Sequence, residues 1–333
     1  MAYVNVKTPK IMGILNITPD SFSDGGKYFA PNEAVSHALE HLKAGADILD
    51  IGGQSTRPGY KRISEAEELS RIKPVFKELN TLKDISKTIS VDTFHPEIAE
   101  FAAKSGVTIL NLTFGFNSPK LLQIAKYYDT TCVINYCGPA DCAKFFFEDQ
   151  IKLAEQYKIR KEKLILDPGI GFNKTFLEDF EIIKNPRKFC PDGYGILIGV
   201  SRKRVTKILL ILIEYLLKSS SNCDINTDLM QTLYSHNDYL GSYFLENLET
   251  ILNRLISDET FNEILNLMSY YNGSASENSE INLDPRDVIT GILNTISFKN
   301  STNIVRVHNV RLTKKILNLI MVNNECKRVR LFR

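Results

Sequence analysis

The stretch LILDPGIGFNKTFLEDFEIIKNP, residues 164–186, passes from a short apolar run to an amphipathic segment. The apolar start is typical of a strand that is buried on both faces, as parallel strands are, and FLEDFEIIK has helical periodicity. Asp167 ends the run, and Pro168 with Gly169 predicts a sharp turn. A plain turn needs only Pro-Gly, so the additional carboxylate and Lys174 indicate a candidate site.

The same order of a short apolar run followed by a helical segment recurs along the chain. The apolar runs lie at residues 11–18, 48–53, 88–93, 108–114, 131–138, 164–169, 195–203 and 303–310. Eight strand–helix units in series predict an α/β fold of the (β/α)8 TIM-barrel type. A doubly wound open sheet is the competing architecture, and the count of eight argues against it.

One segment interrupts this order. Between the seventh strand region and the last helix–strand unit lie residues 205–283, 79 positions that mix helical pieces with polar low-complexity linkers. We interpret the chain as a single domain, residues 1–333, with a helical and partly disordered insertion at 205–283 in the seventh unit. The apolar run at 208–217 is too short to span a bilayer and indicates a core helix or a partner-facing one.

Composition excludes some classes of function. The formal net charge is +2, so no general attraction to nucleic acid or to an anionic membrane is expected. Six cysteines without a CxxC pair indicate reduced thiols. The opening MAYVNVKTPK has no apolar signal segment. These features predict a cytoplasmic protein.

In a barrel of this class, side chains at the carboxyl ends of the strands face one shared pocket. The predicted strands end in polar residues: Asn16, Thr56 and Arg57, Asp92, Asn111, Asn135, Asp167 with Lys174, Ser201 with Lys203, and Arg306 with His308. Carboxylates accept paired hydrogen bonds from the amino-pyrimidinone edge of a pterin or guanine, while amides and a lysine can meet the ring's acceptors. Arginine and histidine suit a phosphate. The set therefore predicts a polar heterocycle joined to a phosphorylated group.

Six motifs resemble, in order and at the matching strand ends, those of the dihydropteroate synthase family. They are MGILNITPDSFSDGG (12–26), DIGGQSTRPG (50–59), SVDT (90–93), DPGIGFNKT (167–175), GVSRKR (199–204) and RVHNV (306–310). The resemblance covers residues 11–204 and 284 to about 323, which indicates a eukaryotic-like or divergent member with a long insertion.

The resemblance implies a folate-biosynthesis transferase that joins 6-hydroxymethyl-7,8-dihydropterin pyrophosphate to p-aminobenzoate and releases pyrophosphate. It assigns pterin binding to Asp92, Asn111, Asp167 and Lys203, and pyrophosphate binding to Asn16, Thr56, Arg306 and His308. It assigns p-aminobenzoate binding to Phe22, Thr56, Pro58, Phe172, Ser201 and Lys203. Mg2+ is the implied cofactor, with Asn16 as its ligand. Lys174 is then expected to be a loop or helix-start residue.

The family's chemistry is dissociative: pyrophosphate leaves, a cation forms at the pterin methylene, and the aniline nitrogen attacks it. No side-chain nucleophile is required. The resemblance makes Asp24, Arg57 and Lys203 the catalytic residues, with Asp24 facing the cation and Arg57 ordering the loops. Catalysis would depend on charge stabilisation and on loops that exclude water.

The chain departs from the family at four places. Gln54 stands where the family has Glu, Leu112 where it has Asp, Asn135-Tyr136 where it has Met-His, and Asn309 where it has Asp. These neighbours would orient the ligand-binding residues, so we expect the activity to be retained and the rate to be lowered.

Three hypotheses stay open at this point: a dihydropteroate synthase, a catalytically weak pterin-binding or scaffold protein, and a pterin-dependent methyltransferase. The phosphate-binding set favours the first over the methyltransferase. The family also leads us to expect a homodimer and, as in some relatives, fusion to a pterin pyrophosphokinase.

Overall fold

A computed structural model describes residues 8–18, 31–55, 61–81, 89–218, 262, 264 and 284–319. Eight parallel strands, paired in chain order, close into a barrel, with β8 also paired to β1. The strands are β1 Lys10–Asn16, β2 Ile48–Gly52, β3 Ile89–Thr93, β4 Ile109–Thr113, β5 Thr131–Asn135, β6 Leu164–Asp167, β7 Gly195–Ile198 and β8 Ile304–Val307. The predicted (β/α)8 barrel is confirmed, and the open sheet is excluded.

Helices follow the strands. They are α1 Pro31–Lys43, α2 Glu65–Leu79, α3 Pro96–Lys104, α4 Pro119–Tyr127, α5 Ala143–Gln156, α6 Phe176–Lys184, α7 Pro186–Phe189, α8 Arg204–Lys218, α9 Pro285–Lys299 and α10, residues 310–319. Local sequence sets where they begin: Ser64 caps α2, and Thr175 with Glu178 forms a capping box at α6.

The apolar run at 208–217 lies in α8, which follows β7 directly. Ile208, Leu209 and Leu212 are buried in the main core between the barrel and its helices. Since α8 continues to Lys218, the segment between α8 and α9 begins at residue 219. Of the helical and partly disordered insertion predicted at 205–283, residues 205–218 therefore belong to α8, and residues 219–283 lie outside the described residues apart from positions 262 and 264.

Strand periodicity divides the barrel interior into layers. An apolar cluster contains Met12, Ile48, Val133, Leu197 and Ile304, with Ile109 and Ile165 packed against it. The alternate residues of the same strands, such as Leu49, Leu110 and Leu166, belong to the core outside the barrel. The inward-facing cluster therefore closes the amino-terminal end of the barrel, and the next inward layer decides what the pocket can bind.

Candidate active site

Polar side chains occupy the layer directly above the apolar one. Five of them lie two positions beyond an apolar residue of the lower layer, and Asp92 lies on β3 at the same level. The polar layer consists of Asp50, Asp92, Asn111, Asn135, Asp167 and Arg306. All except Arg306 are less than 10% exposed. Three buried carboxylates in one barrel require partners, because an unpaired buried charge is costly.

Arg306 provides much of that compensation. Its Nε donates to Asp50 Oδ2 at 2.6 Å, and one terminal nitrogen donates to Asp92 Oδ2 at 2.8 Å. Burial raises the pKa of Asp92 to about 6; Arg306 opposes this rise and the Asp50 carboxylate adds to it. The guanidinium thus bridges two strands across the barrel.

Amide and hydroxyl groups complete the same network. Asn111 Nδ2 donates to Asp50 Oδ2 at 2.9 Å, and Thr113 Oγ1 donates to Asp92 Oδ1 at 3.0 Å. Among the described residues, Asp50 Oδ1 is buried without a hydrogen-bond partner. The structure brings the predicted Asp92, Asn111 and Arg306 together and adds Asp50, which sequence reasoning missed. The sequence feature that could have identified Asp50 is a carboxylate inside an otherwise apolar strand.

The turn after β6 connects the polar layer to Lys203. Asp167 Oδ1 accepts from the backbone N–H of Gly169 at 2.8 Å. Lys203 Nζ donates to the carbonyl of Ile170 at 2.6 Å and lies 4.7 Å from the centroid of the Phe172 ring. Burial lowers the pKa of Lys203, and the Asp167 carboxylate opposes this. Three predicted ligand-binding residues, Asp167, Phe172 and Lys203, therefore share one corner of the pocket.

Lys174 is buried in the same turn. Its ammonium donates to Gly138 O at 2.7 Å and to Phe172 O at 3.2 Å, and it lies 4.8 Å from the centroid of the Tyr136 ring. It immediately precedes Thr175, the N-cap of α6. Lys174 joins the loops after β5 and β6, as suits a loop residue before a helix.

Ser201 and His308 form a pair at the ends of β7 and β8. The Ser201 hydroxyl accepts from the backbone N–H of His308 at 3.1 Å and lies 2.9 Å from His308 Nδ1. Sequence reasoning placed the two at different substrates and did not foresee this contact. Asn16 ends β1 and is half-buried. The other predicted residues, Phe22, Asp24, Thr56, Arg57 and Pro58, lie outside the described residues.

Gln54 holds the base of the second loop. Its side-chain amide donates to Ser55 O at 2.6 Å and to Lys61 O at 3.3 Å, while its oxygen accepts from Ile63 N at 2.8 Å. A glutamate, which the resemblance leads us to expect here, could accept from Ile63 but could not donate to two carbonyls. The departure at Gln54 therefore has a physical role in this chain.

Replacing Gln54 by Glu should lower the free energy of unfolding by about 1–2 kcal/mol, because the carbonyls of Ser55 and Lys61 lose their donor and face a carboxylate. Urea denaturation measures the loss. Gln123→Glu, an exposed glutamine on α4, is the matched control and should change little. Equal stability of the two variants would show that Gln54 does not hold the loop.

The other departures also have local explanations. Leu112 is fully buried and faces the outer core, so it does not border the pocket. Tyr136 packs against Phe146, with ring centroids 4.9 Å apart. Asn309 Nδ2 donates at 3.2 Å to the buried Asp287 of α9, to which Arg202 also pairs. An aspartate at position 309 would place a second carboxylate against Asp287.

The described residues contain no group of three or more His, Cys, Asp or Glu side chains that could hold a metal ion. Asn16 offers a single amide oxygen. Mg2+ commonly keeps several waters and takes one or two protein oxygens together with substrate phosphates. A lone Asn16 ligand therefore fits a metal that is bound largely by pyrophosphate.

Comparison with known proteins gives consistent matches. The profile of a family described as "Pterin binding enzyme" matches residues 12–220. The dihydropteroate synthase of Clostridium beijerinckii is 40% identical over 210 residues, 61% of this chain and 77% of that protein. The Bacillus subtilis dihydropteroate synthase is 39% identical over 202 residues, which cover 58% of this chain and 70% of that protein.

A solved structure extends the likeness to nearly the whole chain. The crystal structure of a Clostridium difficile dihydropteroate synthase, determined in the presence of pteroic acid, has a TM-score of 0.65 and 29% sequence identity. The match covers 94% of this chain and 95% of that one. The family profile ends at residue 220. The similarity of α9, β8 and α10 therefore rests on the structural comparison and not on the profile.

Proposed function

This chain belongs to the pterin-binding enzyme family, and we propose that its polar layer binds 6-hydroxymethyl-7,8-dihydropterin pyrophosphate for condensation with p-aminobenzoate. The activity is that of a dihydropteroate synthase, a transferase of folate biosynthesis. The single observation that carries the site assignment is the grouping of Asp92, Asn111, Asp167 and Lys203 around the open end of the barrel.

The pterin suits this layer chemically. Asp92 and Asp167 supply acceptors for the N–H groups of the amino-pyrimidinone edge, and Asn111 and Lys203 supply donors for its acceptor atoms. Each group is already held by protein hydrogen bonds, so little reorganisation is needed on binding. Arg306 keeps its positive charge beside the carboxylates and balances them before the ligand arrives.

Pyrophosphate lies, in this proposal, above the first and last strands. Asn16, Thr56, Arg306 and His308 bind it, and Mg2+ bound to the pyrophosphate takes Asn16 as its protein ligand. The Ser201–His308 contact fixes the position of the imidazole through Nδ1.

p-Aminobenzoate binds closer to the loops, with Phe22, Pro58 and Phe172 as its apolar walls. Ser201, Thr56 and Lys203 supply donors for its carboxylate. The contact between Lys203 and the Phe172 ring supports this, because it places a charge and an aromatic surface side by side. Asp24 and Arg57 complete the catalytic set as residues that stabilise the pterin cation and order the loops, and Lys203 stabilises departing negative charge.

The function is tested by incubating the purified protein with the pterin pyrophosphate and Mg2+, and measuring pyrophosphate release with and without p-aminobenzoate. Release that depends on p-aminobenzoate, and that falls when a chelator is added, is expected. Pterin binding without release would instead identify a binding protein that has lost the reaction.

We propose a homodimer, which sedimentation would detect, and natural fusion to a pterin pyrophosphokinase, which the sequence of the full-length transcript would reveal. A cytoplasmic location is likewise proposed. Within the described ranges, no helix combines the length and apolarity needed to cross a membrane.

A further inference from the structure

A single peptide unit in the turn after β6 joins two charged side chains. The carbonyl of Ile170 accepts from Lys203 Nζ at 2.6 Å. The N–H of the same peptide, which belongs to Gly171, donates to Asp179 Oδ1 at 2.7 Å. When a carboxylate accepts a hydrogen bond from a peptide N–H, it polarises that peptide. The carbonyl of the peptide then becomes a stronger hydrogen-bond acceptor. Asp179 therefore acts on Lys203 through this peptide.

Gly171 brings the lysine stem close to this peptide. Its φ is +77°, which favours glycine, and a Cβ at this position would lie 3.2 Å from Lys203 Cδ. The Lys203 chain thus runs along the backbone of Gly171 before its ammonium reaches the Ile170 carbonyl. A shift of the 170–171 peptide would displace the ammonium directly.

Asp179 is fully buried on α6, and its Oδ2 has no hydrogen-bond partner within the described part of the chain. The charged groups that act on it are Lys203, Arg204 and Lys174, from the start of α8 and the β6–α6 loop. Burial raises the pKa of Asp179 to about 6, although these cations and the Gly171 N–H oppose the rise. At pH 7.5 the carboxylate is mostly ionised beside three cations.

We propose that Asp179 is a positioning residue for the reaction: through the Ile170–Gly171 peptide it fixes the Lys203 ammonium and helps to keep it protonated. The proposal rests on the proposed function, in which Lys203 binds pterin and p-aminobenzoate. Asp179 itself touches no substrate.

The alkaline side of the pH profile gives the sharpest test. The charged and titratable groups that face Lys203 are the side chains of Asp167, Arg306 and Asp179 and the thiol of Cys137, which burial keeps protonated. Burial lowers the pKa of Lys203, and Asp179 is among the groups that raise it. Asp179→Asn can still accept from Gly171 N–H but has no charge, so the alkaline fall of kcat/KM should move to lower pH. The acid side is less informative, because burial also raises the pKa of Asp92 to about 6.

Asp179→Ala removes the acceptor as well as the charge. It should lower kcat/KM at pH 7.5 by about 10-fold to 100-fold, mainly through higher KM values, because the ammonium is no longer held in place. Glu181→Gln is the control: Glu181 lies on the same helix and contacts Asn185 and Lys188. Glu181→Gln should leave the pH profile of kcat/KM unchanged.

Folding is checked by thermal unfolding of each variant. Because burial raises the folded-state pKa of Asp179, protonation stabilises the native chain at low pH and that contribution is lost as the pH rises through about 6. Asp179→Asn is neutral at every pH and should be at least as stable as the parent at pH 7.5.

Two results separate the outcomes. If the parent chain releases pyrophosphate normally and Asp179→Asn has an unshifted alkaline limb, the positioning role is wrong and the proposed function stands. If the parent chain binds no pterin and releases no pyrophosphate, the proposed function fails first.

Discussion

Arg306→Met should lower the free energy of unfolding by about 3–5 kcal/mol at pH 7.5, the largest stability loss expected from a single substitution in the site. The guanidinium bonds to both Asp50 and Asp92, and these carboxylates are 0% and 9% exposed. Without the guanidinium, two negative charges remain buried side by side on the adjacent strands β2 and β3. Urea denaturation of the parent and the variant measures the loss in free energy of unfolding.

The pH dependence of that loss follows from the carboxylates. Arg306 lowers the pKa of Asp92 against the rise that burial causes, so removing Arg306 raises this pKa above its native value of about 6. Protonation then relieves the repulsion, and the deficit should shrink as the pH falls from the alkaline range toward about 6, because Asp92 of the variant takes up its proton at a higher pH than Asp92 of the parent. Adding Asp50→Asn and Asp92→Asn to Arg306→Met should recover part of the stability. A deficit below about 1 kcal/mol at every pH would contradict the central role of Arg306.

Gly169→Ala should also cause a severe loss, of about 3 kcal/mol or more, together with loss of pterin binding. Gly169 has φ +72°, and a Cβ there would lie 1.7 Å from the carbonyl oxygen of Tyr136. That neighbour is backbone and is tied to β6 by the bond from Tyr136 N to Asp167 O. The turn must therefore move, and Lys203 moves with it.

Gly195→Ala is the matched control for this substitution. A Cβ at Gly195 would lie 3.5 Å from Ile165 Cγ1, an ordinary contact. We expect Gly195→Ala to fold and bind pterin nearly as the parent does. Equal behaviour of the two alanine variants in thermal unfolding and pterin titration would show that the close approach at Gly169 is not limiting.

The fold could be predicted from sequence because each strand is a short apolar run followed by a helical pattern. Asp167 and Asn111 were found because they end or nearly end such runs, where barrel pockets form. Asp50 was missed, because it lies between Leu49 and Ile51 in the middle of a strand. Its inward direction follows from the alternation of side chains, which the turn motifs do not reveal.

Asp179 was missed for a related reason. It lies three positions after Phe176 and one before Phe180, on the helical face that packs inward. An acidic residue on an apolar face predicts a buried partner, but only the three-dimensional structure identifies that partner as Gly171 N–H. Likewise, the sequence around Gln54 does not indicate that its side-chain amide forms hydrogen bonds with the backbone on both sides of the second loop.

The most direct test of the polar layer as the pterin site is calorimetric titration of the parent chain and of Asp167→Asn with the pterin pyrophosphate. Asparagine preserves the acceptor for Gly169 N–H but turns an N–H donor toward the pterin's own donors. We expect one site per chain in the parent and affinity about 10-fold to 100-fold weaker in Asp167→Asn, with Glu181→Gln unchanged. Equal affinity in the parent and Asp167→Asn would show that the polar layer is not the pterin site.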